Sequence, residues 1–365
     1  MQTRRRFLAQ ALASAAATGL ASPLAQSQLY NNKPQKKLGI ALVGLGYYST
    51  DLVAPALQFT QHCELRGIVT GSPEKIPIWQ KKYGIKDANV YSYDNMHAIA
   101  NNPDIDIVYI ILPTFLHKKY SVIGANAGKH VWCEKPMAMD VKECQDIIDA
   151  CTKNNVQLAI GYRMQHEPNT QTVIGYAKTQ PFGKQKSLIC EAGYAGKGFP
   201  ADNWKMFHKY GGGGLYDMGV YAINAARYAT GLNPISIHAQ HVTTMPDTFI
   251  HADERTQFTL QFENGVYATC QASQTSRVNQ LHVECEKGWY RLSPMQEYVG
   301  VEGITSSGKL LNIPIANQQA TQMDNDSLAI LNKQKNSVQG QDGLEDIRVV
   351  VAGLASAKSG KSVAV

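Results

Sequence analysis

A short, unbroken apolar run over residues 38–44 ends in Gly44-Leu-Gly46 and passes directly into a segment of helical spacing. A continuous apolar run suits a strand buried on both faces of a parallel sheet. Glycine at the first position of the turn permits a tight bend. Glycine at the second lets backbone N–H groups approach a pyrophosphate at the helix N-terminus. Ser49 stands where this fingerprint usually has a third glycine. Gly-x-Gly alone says little; between a strand and a helix it points to an α/β dinucleotide-binding unit.

The alternation continues downstream. Strands are expected at 64–70, 106–112, 130–133 and 156–160, with a helix at 73–83 and helices filling the other gaps. Asp140 and Glu143 form a capping box, and Val141, Cys144, Ile147, Ile148 and Cys151 then share one helix face. This order predicts a doubly wound Rossmann sheet. Beyond about residue 185 the period becomes two. Phe258, Leu260 and Phe262 alternate, Asn264-Gly265 turns the chain, and Val266, Ala268, Cys270 and Ala272 alternate back. With strand candidates at 235–242, 281–285 and 289–292, this predicts an open, mainly antiparallel sheet. A last helix at 344–358 should pack back on the body, and the polar stretch 317–341 is read as having room for mobile loops. A chain of 365 residues has room for two domains. The organisation expected is a leader at 1–27, a nucleotide-binding domain at 28–162, a sheet domain for substrate and oligomerisation at 163–343, and the closing helix at 344–365.

The leader reads Thr-Arg-Arg-Arg-Phe-Leu over residues 3–8, then a weakly apolar stretch rich in alanine and glycine, with no acid before residue 27. This resembles a twin-arginine export signal cleaved after Ala25 or Ser27, and implies export to the periplasm in the folded state. Arg4, Arg5 and Arg6 supply three of the six net positive charges, and no basic stripe with interleaved aromatics remains. A nucleic-acid partner is therefore not expected, and neither is a membrane span. Seven cysteines show no Cys-x-x-Cys spacing; free buried thiols and no metal are the expectation.

The second strand ends Thr70-Gly71-Ser72-Pro73-Glu74-Lys75. The acid that usually binds the ribose 2′-hydroxyl is missing at Thr70. Hydroxyls and Lys75 suit a 2′-phosphate, so NADP is favoured, with Glu74 as a first-turn helix acid. Glu134-Lys135-Pro136 closes the strand at 130–133, at the sheet edge where such folds bind ligands. Four glycines at 211–214 then lead to Asp217 and Tyr221, which share a face if a helix starts near Leu215.

These residues together resemble the glucose–fructose oxidoreductase, inositol dehydrogenase and rhizopine catabolism (GFO/IDH/MocA) family, and within it the glucose–fructose oxidoreductase branch. The likeness is carried by Leu112-Pro-Thr-Phe-Leu-His117, Gly128-Lys-His-Val-Trp-Cys-Glu-Lys-Pro-Met137, Ile160-Gly-Tyr-Arg163, Gly211-Gly-Gly-Gly-Leu-Tyr-Asp-Met-Gly-Val-Tyr221 and Asp342-Gly-Leu-Glu-Asp-Ile-Arg348. Thr114 stands where the family usually has Asn, and Lys205 follows Trp204 where the branch has Arg. The resemblance implies an aldose oxidised at C1 to its lactone, the hydride passing through tightly held NADP to a second sugar to give a polyol. It implies Lys135, Asp217 and Tyr221 as catalytic residues. Gly44, Gly46, Tyr47, Tyr48, Ser49, Thr70, Gly71, Ser72, Lys75, Leu112, Pro113, Thr114, His117, Glu134, Lys135, Arg163, Trp204 and Lys205 would hold the cofactor. Tyr221 would be the base, with Lys135 favouring its tyrosinate and Asp217 orienting Lys135 or a sugar hydroxyl. A homo-oligomer, dimer or tetramer, is implied as well. The alternatives are an NAD(P)-dependent glycosidase working by oxidation and elimination, whose relatives carry a different His-containing motif, and a silent sugar or NADP sensor.

Overall fold

The computed structural model describes residues 36–196 and 199–365. The leader, its cleavage site and most of the arm before the first strand lie outside the described residues.

The first sheet has strands β1 (Leu38–Val43), β2 (Cys63–Val69), β3 (Val90–Tyr91), β4 (Ile107–Ile110), β5 (His130–Cys133) and β6 (Leu158–Ile160), in the order β3-β2-β1-β4-β5-β6. Every pairing in it is parallel. The doubly wound arrangement expected from the alternation is present, with its order reversing between β1 and β4. The apolar runs are buried as that position demands: Ile40, Leu42 and Val43 on β1 and Ile107 to Ile110 on β4 are sealed. The two-residue β3 was not foreseen, being too short to carry a pattern.

Helices α1 (Ile76–Tyr83), α2 (Thr114–Asn126) and α3 (Val141–Lys153) pack on this sheet. Asp140 caps α3, its carboxylate accepting from the Glu143 N–H at 2.8 Å. The return bond of the box is shifted by one residue: Met139 N–H donates to the Glu143 carboxylate at 3.2 Å. Helix α4 (Pro168–Thr179) then carries the chain to the second sheet.

That sheet holds β7 (Gln185–Gly193), β8 (Ser236–Val242), β9 (Arg255–Gln261), β10 (Tyr267–Ser273), β11 (Asn279–Cys285), β12 (Gly288–Leu292), β13 (Gly303–Thr305), β14 (Leu310–Leu311) and β15 (Val363–Ala364). Their order is β14-β13-β12-β11-β7-β10-β9-β8-β15. It is mainly antiparallel, but β7 pairs with β10 in parallel. β7 arrives from the first sheet rather than from a hairpin, which explains why no turn signal announced it. The expected hairpin at 264–265 joins β9 to β10, with Phe258 opposite Cys270 and Leu260 opposite Ala268.

Helix α5 (Val220–Thr230) is buried along its whole length. The closing helix α7 (Gly340–Ser359) packs against it, with Arg227 bridging to Asp346 at 2.7 Å and Asp342 at 3.0 Å.

One helix was not foreseen from the sequence. The polar stretch at 317–341 contains helix α6 (Gln318–Leu331), capped by Asn317. Ala320 and Met323 enter the core beside Trp132, and Gln318, Gln319, Gln322, Asp326 and Ser327 are buried as well. A helix that buries polar side chains has no apolar stripe to betray it.

Among the described residues no helix is long and apolar enough to cross a membrane. The seven cysteines are free and buried.

Candidate active site

The turn after β1 is shaped by its neighbours. Gly44 has φ +95°, and a Cβ there would lie 2.3 Å from the Ile111 carbonyl, so only glycine fits. The Ser49 hydroxyl donates to the Gly44 carbonyl at 2.5 Å. Ser49 thus braces the turn from beneath, a task a third glycine could not perform. A Cβ on Gly46 would meet nothing within 4 Å, and no side chain caps the helical turn that follows Tyr47. Its leading N–H groups remain available to an anion. Lys75 reaches across the turn and donates to the Leu45 carbonyl at 2.8 Å. The Thr70 hydroxyl accepts from the Ser72 N–H at 3.0 Å. Glu74 is exposed in the first turn of its short helix. An open backbone cradle, two hydroxyls and one lysine fit a dinucleotide.

Across from this turn, the ends of β4 and β5 and the segments around residues 194, 204, 217 and 297 enclose a cavity of about 770 Å³. Of the residues named from the sequence, Gly46, Tyr47, Tyr48, Leu112, Pro113, Thr114, Glu134, Lys135, Arg163, Trp204, Lys205, Asp217 and Tyr221 line it. Gly44, Ser49, Thr70, Gly71, Ser72, Lys75 and His117 are not on its wall. His117 is sealed in the core, with its two ring nitrogens 2.7 Å from the carbonyls of Pro136 and Leu112. It ties together the loops after β4 and β5 rather than facing a ligand, and burial lowers its pKa. Tyr194, Arg277, Gln296, Glu297 and Tyr298 also line the cavity. They come from strand ends and loops whose local sequence has no chemical motif.

At the cavity floor stands a cluster of charges. A turn over Leu215–Gly219 runs into α5 and buries Asp217. One Asp217 oxygen accepts from Lys205 at 2.9 Å, from the Tyr194 hydroxyl at 3.1 Å and from Gln274 at 3.4 Å. Lys135 donates to the Asp217 backbone carbonyl at 2.9 Å and lies 3.6 Å from the other carboxylate oxygen. Burial would raise the Asp217 carboxyl, but Lys205 and Lys135 overcome it and hold it at about 2. Asp217 is thus an anion shared by two lysines.

Tyr221 shares the Asp217 face, as the four-residue spacing requires. The Lys135 ammonium sits 4.4 Å from its ring centroid. It lies over the ring, where a cation–π contact forms, and Asp217 holds it there. Burial pushes the Tyr221 hydroxyl up to about 12, with Arg163 opposing and Glu134 and Asp217 adding to the rise. Burial thus favours the neutral phenol at Tyr221, so any help toward a tyrosinate has to come from the charge beside it.

Glu134 is buried at the end of β5 and accepts from the Tyr109 hydroxyl at 2.6 Å. Burial raises its carboxyl to about 7, against the pull of Tyr109 and Lys135. Arg163 donates to the carbonyl of Gln296 and the side chain of Gln318, each at 2.5 Å, and stacks on Tyr298 at 4.3 Å. It builds the wall formed by 296–298.

Comparison with known proteins agrees with this layout. Residues 38–162 match the model of the oxidoreductase family with NAD-binding Rossmann fold, GFO_IDH_MocA, and residues 181–291 match the GFO/IDH/MocA C-terminal domain. The chain belongs to the GFO/IDH/MocA family. An aldose–aldose oxidoreductase from Caulobacter crescentus, solved with glycerol, is 34% identical; the match covers 90% of this chain and 100% of that one, with a TM-score of 0.86. An NADP(+)-dependent D-xylose 1-dehydrogenase from Haloarcula marismortui is 24% identical over 347 residues, 89% of this chain and 91% of that protein. A scyllo-inositol dehydrogenase from Lactobacillus casei, 19% identical with a TM-score of 0.75 over 90% of this chain and 98% of its own, shares the fold.

Proposed function

We propose that this GFO/IDH/MocA protein is an NADP-dependent sugar oxidoreductase. In this reading it oxidises an aldose at C1 to the lactone and returns the hydride, through tightly held NADP, to a second sugar. The observation that carries the reading is the convergence of Lys135, Asp217 and Tyr221 on one cavity beside a dinucleotide turn. The aldose–aldose oxidoreductase and xylose dehydrogenase relatives support the substrate class.

When bound, the nicotinamide supplies the hydride acceptor and donor. Tyr221 takes the proton from the anomeric hydroxyl as hydride leaves, and gives one back to the acceptor sugar. A phenol held near 12 is a poor base alone, so the charge next to it matters. Lys135 is that charge: its ammonium, between Asp217 and the Tyr221 ring, offsets a phenolate forming there. Asp217, ionised throughout the neutral range, keeps both lysines in place. Lys75, Thr70 and Ser72 would receive the 2′-phosphate.

The reading extends to the whole chain. Residues 1–27 act as a twin-arginine signal, and the product works in the periplasm, where a cofactor kept through both half-reactions needs no external supply. The uncovered face of the second sheet, with Ile189 and Tyr267 exposed, joins copies into a dimer or tetramer.

The test is an absorbance spectrum of purified, undialysed protein, followed by addition of one aldose and then of a second sugar. Bound NADP that is reduced by the first and reoxidised by the second supports the proposal. Protein that releases NADPH at each turnover would be a simple dehydrogenase, and cleavage of a glycoside without an acceptor would make it a glycosidase.

A further inference from the structure

The turn that presents Asp217 and Tyr221 is gripped from behind by a carboxylate that does not touch the cavity. Asp253, just before β9, is buried with a fully covered side chain. One of its oxygens accepts from the Leu215 N–H at 2.8 Å and from the Thr256 hydroxyl at 2.5 Å. The other lies 2.8 Å from His208 Nε2, which is also 3.0 Å from the Asp253 backbone N–H, so the His208 tautomer decides which of the two bonds forms. Its backbone carbonyl accepts from the Gly214 N–H at 2.8 Å.

We infer that Asp253 is a positioning residue for the catalytic turn, capping it from 38 residues away and setting where Asp217 and Tyr221 stand. The inference rests on the function proposed above for that site. Leu215 N–H belongs to the first turn of a helix, where N–H groups lack intrahelical partners. The residue at the N-terminus of that turn, Gly214, has no side chain with which to cap it. A carboxylate there is favoured by the helix dipole and makes a strong, charge-assisted bond. Burial disfavours the Asp253 anion, but hydrogen bonding from His208 and Thr256 and the neighbouring imidazoles draw its pKa below the ordinary value.

The approach of Asp253 is built into the glycine run. Gly213 has φ +98°, and a Cβ on it would lie 2.1 Å from the carboxylate. The same residue joins both arms of the charge cluster. Gly213 N–H donates to the Lys205 carbonyl, and its own carbonyl accepts from the Asp217 N–H, each at 2.9 Å. Fixing this glycine therefore fixes the Lys205 backbone against the carboxylate that its side chain binds. Four successive glycines have little stiffness of their own; the carboxylate behind them supplies it.

The test compares Asp253→Ala with Asp253→Asn in the full chain. Asparagine keeps an oxygen for Leu215 N–H and offers an N–H to the other tautomer of His208. Alanine keeps neither. Misplacement of reacting groups by about 1 Å costs roughly 10²-fold in rate. Asp253→Ala should therefore lower kcat by that order, leave nucleotide bound and change sugar KM little. Asp253→Asn should recover most of the loss. Hydrogen exchange gives a readout that does not need turnover: the Leu215 and Asp217 amides should lose protection in the alanine variant and keep it in the asparagine variant. Unchanged protection, or a kcat within twofold of the parent, would overturn the inference. If Asp253→Ala does not fold, His208→Ala removes only the partly exposed donor. A severalfold fall in kcat at constant KM then supports the inference, and an unchanged kcat overturns it. A parent that oxidises no sugar would sink the proposed function, while the exchange data would still decide the role of Asp253.

Discussion

The nucleotide turn, which lies behind one wall of the cavity, and the charged floor opposite are made differently. On the side of the first sheet, the nucleotide turn is mostly backbone: Gly44 packed on Ile111, Ser49 bonded to Gly44, Lys75 laid over Leu45. Opposite, the floor formed by Asp217, Lys205 and Tyr194, with Lys135 reaching in from β5, is a net of side-chain charges around a buried carboxylate. Backbone geometry tolerates side-chain changes and fails when the turn is altered. A buried charge net fails as soon as one member goes, because its partners are left unpaired. The first wall should therefore govern which nucleotide binds, and the second whether hydride moves.

The largest expected effect on that division comes from Tyr221→Phe. The ring still packs, so fold and nucleotide should be retained. Loss of a general acid–base is worth about 10²–10⁴-fold, and both half-reactions should slow by that order in rapid-mixing experiments. Equal loss of nucleotide affinity would mean that the two walls are not separable.

Asp217→Ala should be the most damaging to stability. It leaves the Lys135 and Lys205 ammoniums facing each other without their anion, and removing one partner of a buried pair costs about 3–5 kcal/mol. Chemical denaturation measures this directly. The acid limb of the parent should report the same group. The Asp217 pKa is depressed to about 2 in the fold, below about 3.9 when unfolded. Its stabilisation is therefore present above pH 4 and lost as pH falls toward 2. An Asp217→Asn variant whose acid limb matches the parent would contradict this.

Lys75→Ala should leave hydride transfer alone and weaken NADP far more than NAD. A charge-assisted bond to phosphate contributes about 1.5–3 kcal/mol, so a loss of roughly 10-fold or more is expected in titration. Equal loss for both nucleotides would remove Lys75 from the 2′-phosphate and bring Glu74 back into question.

The smallest effect is Glu134→Gln. Its carboxyl is raised by burial to about 7, from about 4.3 when unfolded. Between these values the folded state holds a proton that the unfolded state has lost, so stability declines as pH rises from about 4 to 7. The glutamine variant should show a flatter melting temperature over that interval. An identical slope would place the titration elsewhere.

How much of this was legible depends on what kind of residue carries it. The first wall follows from local pattern: an apolar run, two glycines and a strand-ending Glu-Lys-Pro are contiguous, and the sheet lays them side by side. Tyr194, Tyr298 and Gln274 reach the second wall from positions 23 to 81 residues away from Asp217, each with ordinary neighbours in sequence. Lys135 was legible as a charge near Tyr221 but not as a ring contact, since side-chain direction is set by Asp217 and Lys205 together. His117 sits in the sequence next to the cavity-lining residues Leu112, Pro113 and Thr114, yet the helix turns it inward. Helix α6 escaped because Gln318, Gln322 and Asp326 are buried despite their polarity.

The division of labour between the walls is tested most directly by single-turnover reduction of bound NADP by an aldose, followed by absorbance, in Tyr221→Phe and Lys75→Ala, with nucleotide affinity measured on the same samples. The account predicts slow reduction with parental affinity in the first variant, and parental reduction with weakened NADP in the second. Tyr221→Phe reducing its nucleotide within a few-fold of the parent would show that the base lies elsewhere and that this side chain only shapes the cavity.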